Sequence, residues 1–198
     1  MAKCQKQNCE NMALFKSKFC WEHLPDQEKY KKLILRPRKD GLIYLDKANL
    51  KRVYLVGADL EGAQLKGTDL KGADLKIANL EKANLEETNL EDANLKGANL
   101  KGASLRGAKL KGAVLTGAYL KGAGLTDADL TDADLRDANL NQTDLTGAAI
   151  SGAKVWGMSH SDCKIENIRA EYLNFDREGK GSGIVQVNPE KIKEFFSS

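Results

Sequence analysis

Large hydrophobic residues recur every fifth position along almost two-thirds of this 198-residue chain. Their column runs from Leu45 to Leu145, continues with Ile150 and Val155, breaks at His160 and resumes one unit later. A small residue, usually Ala, stands two positions before each of them, with Asp or Asn between, so the unit is Ala-(Asp/Asn)-Leu-x-x. A period of five fits neither the 3.6 of a helix nor the 2 of a strand. The pattern therefore indicates a repeat architecture.

The positions within the unit predict how each is used. Two inward side chains per unit, Leu and Ala, can fill a tube, while Asp or Asn points outward and can hydrogen-bond backbone at a turn. The fifth position carries 13 of the 18 glycines, which suits a tight turn repeated in every unit. Thr68 and Thr88 replace Ala on one predicted face and are expected to stack.

This unit resembles that of the pentapeptide-repeat family over residues 41–168. The resemblance implies an all-β solenoid, a right-handed quadrilateral β-helix with four units to a coil. Stacked residues are then 20 apart, which gives about six coils and a rod roughly 30 Å long at about 4.8 Å per coil. Each coil contacts only its neighbours, so stability is expected to be nearly additive along the rod.

Charge is unevenly distributed along the chain. Residues 1–40 carry 10 Lys and Arg against 5 Asp and Glu, whereas residues 41–168 carry 16 against 18. Within the rod the sign changes in bands, which we interpret either as solvated faces with weak cross-coil ion pairs or as a pattern that selects a partner. The successive bands are Lys66, Lys71 and Lys76; Glu81, Glu86, Glu87, Glu91 and Asp92; Lys96, Lys101, Arg106, Lys111 and Lys121; and Asp127, Asp129, Asp132, Asp134 and Asp137.

Residues 1–24 are predicted to form a zinc-binding module. Cys4, Cys9, Cys20 and His23 have the spacing C-x4-C-x10-C-x2-H, which can close a Cys₃His tetrahedron around structural Zn²⁺. The segment resembles small zinc modules of some plant and protist proteins, including those attached to WRKY-type factors. It is too short for an apolar core, so the metal would supply its folding energy. A reduced, disordered arm is the alternative.

Short helical caps are predicted at both ends of the rod, since a bare β-helix end exposes backbone and apolar groups. In residues 25–40, Asp26 is expected to cap a helix in which Tyr30, Leu33 and Ile34 share a face. In residues 169–198, a strand at 184–187 and a helix that starts at Pro189, capped by Asn188, are expected. The apolar residues Ile192, Phe195 and Phe196 would pack on the last coil or form a homodimer contact.

Two chemically capable side chains lie in the repeat itself. Cys163 occupies the Ala column and is interpreted as an inert thiol, while His160 suggests that the rod is already distorted there, with Trp156 and Met158 also atypical. No paired carboxylates, nucleophile motif or phosphate-binding loop stands apart from the repeat. We therefore expect a protein that is not an enzyme.

The predicted function is a protein-interaction scaffold with an unidentified protein partner. One alternative is nucleic-acid binding through the basic zinc-bearing arm. Another is mimicry of DNA towards a type II topoisomerase, as some pentapeptide-repeat proteins do, although mimicry calls for a strongly acidic surface. No apolar run reaches the roughly 20 residues of a membrane span, and no secretory signal is evident, so a cytoplasmic location is the default expectation.

Overall fold

The computed structural model describes residue 5, residues 25–177 and residues 183–197. Parallel bridges link each residue between Ala and Leu to its counterpart 20 positions later, from Tyr44 and Gln64 at one end to Lys154 and Asn174 at the other. Four five-residue units therefore complete one coil of a square solenoid, and the ladder continues past residue 168 to Asn174. The elements outside the ladder are α1 (Gln27–Ile34), β1 (Tyr172–Asn174), β2 (Ile184–Gln186) and α2 (Pro189–Ser197).

The Asp or Asn position completes the backbone hydrogen bonding of the units that carry one of these residues. Its side-chain oxygen accepts from the N–H two residues later, which has no backbone partner of its own. In the unit 78–82 the five bonds run from Ala78 to Leu75 O (3.1 Å), Asn79 to Ala58 O (2.9 Å), Leu80 to Asn99 O (2.7 Å), Glu81 to Asn79 Oδ1 (3.3 Å) and Lys82 to Lys101 O (2.9 Å). Three of the five cross between coils, so the stacking itself satisfies most of the main chain.

The fifth position of every unit from Lys47 to Asn167 has a positive φ, whether or not it is glycine. Each corner from Leu45 to Met158 is a β-turn closed by a bond from the Ala-column N–H to the preceding Leu-column carbonyl, and a positive φ at its third residue alone is the type II geometry. Twelve such corners hold a residue other than glycine, with φ between 49° and 62°. Among them Ile77 (φ 49°) is the one β-branched residue, in a conformation that β-branched residues strongly disfavour.

The core is a stack of leucines closed by small residues. Every Leu of the column from Leu45 to Leu145 is at most 2% exposed. Thr68 and Thr88 stack as expected and are fully buried. Their hydroxyls donate to the carbonyls of Leu45 (2.6 Å) and Leu65 (2.8 Å), so the polar groups cost little inside the rod.

Helix α1 lies at the beginning of the rod. The Asp26 carboxylate caps it by accepting from the Lys29 N–H at 2.8 Å, and Tyr30 and Ile34 join the core. The expectation that Leu33 shares this buried face is wrong, because Leu33 is 47% exposed. On a helix of 3.6 residues per turn, Tyr30 and Ile34 at i and i+4 define the buried stripe, and Leu33 lies beside it.

Strand β1 and helix α2 complete the other end. Strand β1, which the sequence pattern did not reveal, pairs antiparallel with β2, while its last residue Asn174 still bridges to the rod. Helix α2 begins at Pro189, with the Lys191 N–H donating to Asn188 Oδ1 at 2.9 Å as predicted. Ile192 and Phe196 are buried.

The rod departs from the repeat at His160 only at its corner, where the turn bond from the Cys163 N–H to the His160 carbonyl is not formed. The stacking of the coil is retained, so the distortion expected from sequence is confined to that corner. The bridge between Asn139 and Ser159 and the Leu140 N–H to Ser159 O bond (2.7 Å) are regular. The imidazole is half-buried, with its ring centroid 4.6 Å from that of Phe195 and 5.3 Å from that of Phe196. Because this coil is the last on its side, α2 can cover a polar ring that an interior layer would exclude.

Cys163 follows Thr143 in the Ala column and makes the same contact. The Thr143 hydroxyl donates to Leu120 O at 2.9 Å, and Cys163 Sγ donates to Leu140 O at 3.0 Å. Partial burial raises the pKa of the Cys163 thiol, which keeps it protonated and unreactive. Its geometry fits the structural role expected of it.

The core predicts a sharp contrast between inward and outward substitutions. Leu90→Ala leaves a cavity within a stack that hydrogen bonds hold at fixed spacing, so we expect it to lower the free energy of unfolding by about 2–5 kcal/mol. Lys111→Gln, which changes an outward side chain one coil later, should stay within about 0.5 kcal/mol. Urea unfolding followed by circular dichroism measures both. Equal effects would contradict the inward and outward assignment.

His160 predicts a pH-dependent contribution to stability. Burial lowers the pKa of His160 below its ordinary value of 6.5, so the unfolded chain binds the proton more tightly than the folded one. The contribution is therefore complete above about pH 6.5 and is lost as the pH falls below it. His160→Leu should abolish this component and raise the Tm by about 2–4 °C at pH 5.5. The unaltered protein measured over the same pH range is the reference, and a pH dependence unchanged in His160→Leu would refute the assignment.

Candidate interaction surface

The middle of the rod is a belt of positive charge. Residues 93–126 contain six cations and no carboxylate, and we call this segment the central belt. Within it five consecutive units, just over one coil, depart from the Asp or Asn rule at the bridging position, where they carry Ser104, Lys109, Val114, Tyr119 and Gly124. The absence of Asp and Asn from these positions removes negative charge and also removes the side-chain oxygens that accept hydrogen bonds from the nearby backbone. The six cations are Lys96, Lys101, Arg106, Lys109, Lys111 and Lys121.

The belt encircles the rod. Lys96, Lys101, Arg106 and Lys111 occupy the same position in four consecutive units, so one cation stands at each of the four corners. Lys121 lies one coil beyond Lys101 on the same corner. Stacked coils lie about 4.8 Å apart, so the belt is roughly 8 Å wide along the rod axis.

The belt cations differ from those of the preceding coil in forming no close ion pair, although Arg106 and Lys109 still help to lower the pKa of Glu86 and Glu91 from a longer distance. Lys66 Nζ lies 2.9 Å from Glu86 Oε2, and Lys71 Nζ lies 2.7 Å from Glu91 Oε2. These bonds raise the pKa of both lysines and lower the pKa of both glutamates. Among the described residues, no carboxylate oxygen lies within 4.0 Å of any belt cation.

Opposite sides of the rod differ in charge. One side, the Tyr119 face, has Asp59, Asn79, Asn99, Tyr119, Asn139 and Ser159 as its bridging residues. The side across the rod, the Asn89 face, has Asn49, Asp69, Asn89, Lys109, Asp129, Ala149 and Arg169. Between residues 66 and 142, the Tyr119 face with its two bordering corners carries six cations and two carboxylates, whereas the Asn89 face carries five and eight. The Tyr119 face is therefore the electropositive side.

Exposed apolar groups lie on the same side. Ile77, at a corner that borders the Tyr119 face, is 66% exposed, and Tyr119 is 57% exposed. A shallow depression of about 580 Å³ beside Ile77 is lined in part by Lys96, Gly97 and, at one edge, Asp137. A Cβ on Gly97 would lie 3.4 Å from Ile77 Cγ2, so glycine at this corner leaves room for the Ile77 side chain.

Among residues 25–177 and 183–197, no group of three His, Cys, Asp or Glu side chains could hold a metal ion. The predicted zinc ligands Cys4, Cys9, Cys20 and His23 lie outside the described residues, so zinc binding stays a prediction. Within the described part, no helix is long and apolar enough to cross a membrane.

The sequence pattern pointed to the charge bands but not to Ile77 or Tyr119. Both residues break the repeat, Ile77 in the glycine column and Tyr119 in the Asp or Asn column. Departure from the unit was the available signal, since the fold needs neither residue at its position. Lys109 breaks the same column and adds the sixth belt cation.

The comparisons with known proteins agree with this architecture. A family model described as pentapeptide repeats matches in eight copies over residues 43–80, 73–112 and 123–157. A pentapeptide repeat protein from the Arabidopsis thaliana thylakoid lumen is 34% identical, over 52% of this chain and 71% of that one, with a TM-score of 0.50. The protein Rfr23 from the cyanobacterium Cyanothece 51142 is 29% identical, over 50% and 61%, with a TM-score of 0.40.

A more distant similarity is to full-length QnrB1, a plasmid-mediated fluoroquinolone resistance protein. It is 16% identical, over 79% of this chain and 88% of that one, with a TM-score of 0.36. No curated protein matches the sequence significantly.

The family and its fold follow from these findings. Pentapeptide repeat proteins fold as right-handed quadrilateral β-helices and are generally non-enzymatic structural or interaction proteins. The 20-residue spacing of the bridges is the stacking that this fold requires, and the matched residues span more than half of the sequence. The chain therefore belongs to the pentapeptide repeat family.

Proposed function

We propose that this protein is a non-enzymatic scaffold that binds a partner protein through the outer surface of its rod. The observation that carries the proposal is the central belt, a ring of cations without close ion pairs among the described residues, between two acidic bands. Surface charges contribute little to stability even when they are paired. The six belt cations, which form no close ion pair, are therefore not explained by stabilisation of the fold. Complementary charge, by contrast, speeds association and sets specificity.

We also propose that residues 1–24 hold a structural zinc ion through Cys4, Cys9, Cys20 and His23. The spacing of three thiols and one imidazole supports this ligand set. Four protein ligands leave no open position, so the metal would stabilise the segment rather than act on a substrate. The module would extend the interaction surface beyond the rod.

The two other functions predicted from sequence receive less support. DNA mimicry requires an acidic surface, and the belt would present Lys101, Arg106 and Lys111 to a protein groove that is itself basic. Nucleic-acid binding through the basic arm rests on residues that lie mostly outside the described part. A cytoplasmic location and a homodimer through the C-terminal cap both stay predictions.

The scaffold proposal predicts a specific partner that binds through charge. Full-length protein immobilised at low density should capture one or a few proteins from a lysate of its source, and chemical cross-links should map to the rod. Capture should fall steeply between about 50 and 500 mM salt, because exposed charges are screened over a shorter distance. A gyrase supercoiling assay runs in parallel. Inhibition of supercoiling at micromolar concentration, with no specific protein captured, would instead favour the mimic.

The zinc proposal predicts about one zinc ion per chain in protein purified without chelators. Each of Cys4→Ser, Cys9→Ser, Cys20→Ser and His23→Ala should lose it, because a three-ligand remnant binds far more weakly. Cys163→Ser is the matched control and should retain full zinc content. Inductively coupled plasma mass spectrometry measures the metal. Absence of zinc from the unaltered protein would refute the site.

A further inference from the structure

We infer that the Tyr119 face docks an acidic segment of the partner protein, with an apolar side chain of that segment seated against Ile77. The inference rests on the proposed scaffold function and assigns the surface and the chemistry of what it binds. The carboxylates of the segment would lie on Lys96, Lys101 and Lys121, and Tyr119 would pack against its backbone.

The first support for this surface is the exposed side chain and unusual backbone conformation of Ile77. Its side chain is apolar and 66% exposed, and its backbone has a φ of 49° at a position where glycine recurs. This region of the backbone map is strained for residues other than glycine, and a β-branched residue is especially disfavoured there. The neighbouring corners in the stack hold Gly57 and Gly97, so the fold accepts glycine here. The fold therefore does not require Ile77 at this corner, and contact between its side chain and the partner protein would explain its presence.

The second support is the stacking of two lysines, Lys101 and Lys121, on one corner. They stack one coil apart on the corner that follows the Tyr119 face, about 4.8 Å along the axis, with no carboxylate between them. The preceding residue of this corner, Glu81, is bound by the Asn99 amide (3.1 Å) and lies 3.8 Å from Lys82. Two unpaired like charges repel each other, and an external anion would relieve that repulsion.

Lys96 extends the cationic surface to the other corner. It lies next to Gly97, which is the stacking neighbour of Ile77, and helps to line the depression. Along the same corner, Lys76 is held by Asp74 at 3.5 Å and Arg136 is bound by Asp134. Lys96 is therefore the cation of this corner left without an ion pair among the described residues.

An acidic protein segment fits these groups better than a nucleic acid does. The free cations of this face extend over about one and a quarter coils, roughly 6 Å, and Glu81 and Asp137 lie at its borders. A uniformly anionic strand that continued along the rod would meet those carboxylates. It would also gain nothing from Ile77, whereas a peptide can place an apolar side chain there between acidic ones.

Fluorescence polarisation with three labelled probes on the full-length protein tests this assignment. The first is a 12-residue peptide of Asp and Glu with one central Leu, the second has Ser in place of Leu, and the third is a 12-nucleotide thymidine strand. At about 50 mM salt we expect the Leu peptide to bind most tightly. Tighter binding of the thymidine strand would overturn the inference in favour of nucleic acid.

Matched variants separate the surface from overall charge. Lys101→Gln with Lys121→Gln should weaken binding of the Leu peptide at least about fivefold. Lys109→Gln with Lys111→Gln removes the same charge from belt lysines without close ion pairs that border or lie on the Asn89 face, and should have less than about a twofold effect. Equal weakening by the two double variants would mean attraction to net charge alone and would overturn the inference.

Ile77→Gly provides an independent readout. It should weaken binding of the Leu peptide about threefold or more, leave the Ser peptide unchanged, and keep or raise the Tm because the backbone strain is relieved. Unchanged affinity for the Leu peptide would overturn the assignment of Ile77. If the Lys101, Lys121 and Ile77 variants still capture the partner from lysate, the assignment of the Tyr119 face is wrong, but the scaffold proposal is unaffected. If full-length protein captures no partner, the scaffold fails, whatever the peptides show.

Discussion

Each corner of the rod must place one residue in the left-handed backbone region, and the rest of the structure depends on that constraint. The corner turns the chain by a quarter of a coil, so four corners bring residue i+20 onto residue i and allow the coils to exchange hydrogen bonds. Glycine meets the requirement at 13 corners, and Lys, Arg, Asp, Glu, Asn, Gln and one Ile meet it at the other twelve. At Gly147, Gly152 and Gly157 a Cβ would also meet an Asp side chain of the preceding coil.

Because the corners fix the course of the backbone, the inner and outer positions of the unit are constrained differently. Leu and Ala fill a tube of constant width, and the Leu positions are nearly invariant along the chain. The outer positions have only to tolerate solvent, and their ion pairs, such as Lys66 with Glu86, stabilise little. The outer residues can therefore vary to suit a binding partner without loss of the fold. The central belt is the segment whose outer residues differ most from the repeat unit.

Much of the fold could be predicted from the sequence, since a strict period constrains every unit in the same way. The inward Leu, the stacked threonines and the Asn188 cap are each determined by local rules. Strand β1 was not predicted, because its pairing depends on β2, which lies beyond a segment without any repeat. The contacts that cover His160 were also missed, because the column pattern could not show that Phe195 and Phe196 would pack on the ring. Burial and pairing of the outer side chains depend on neighbours 20 residues away, which is why the charge bands were visible and the unpaired status of Lys101 was not.

Register ultimately determines what the outer surface presents. A unit of five residues is a quarter of a coil, so a side chain that moves by one unit along the sequence moves to the adjacent face. Ile77 and Tyr119 lie 42 positions apart, two full coils and two residues, and therefore share one side of the rod. Insertion of a single pentad between them would leave the hydrogen-bond ladder and the leucine stack intact and would turn Tyr119 away from Ile77. In a solenoid of this kind the number of units between two outer residues, rather than any loop or cavity, sets the shape of a binding surface.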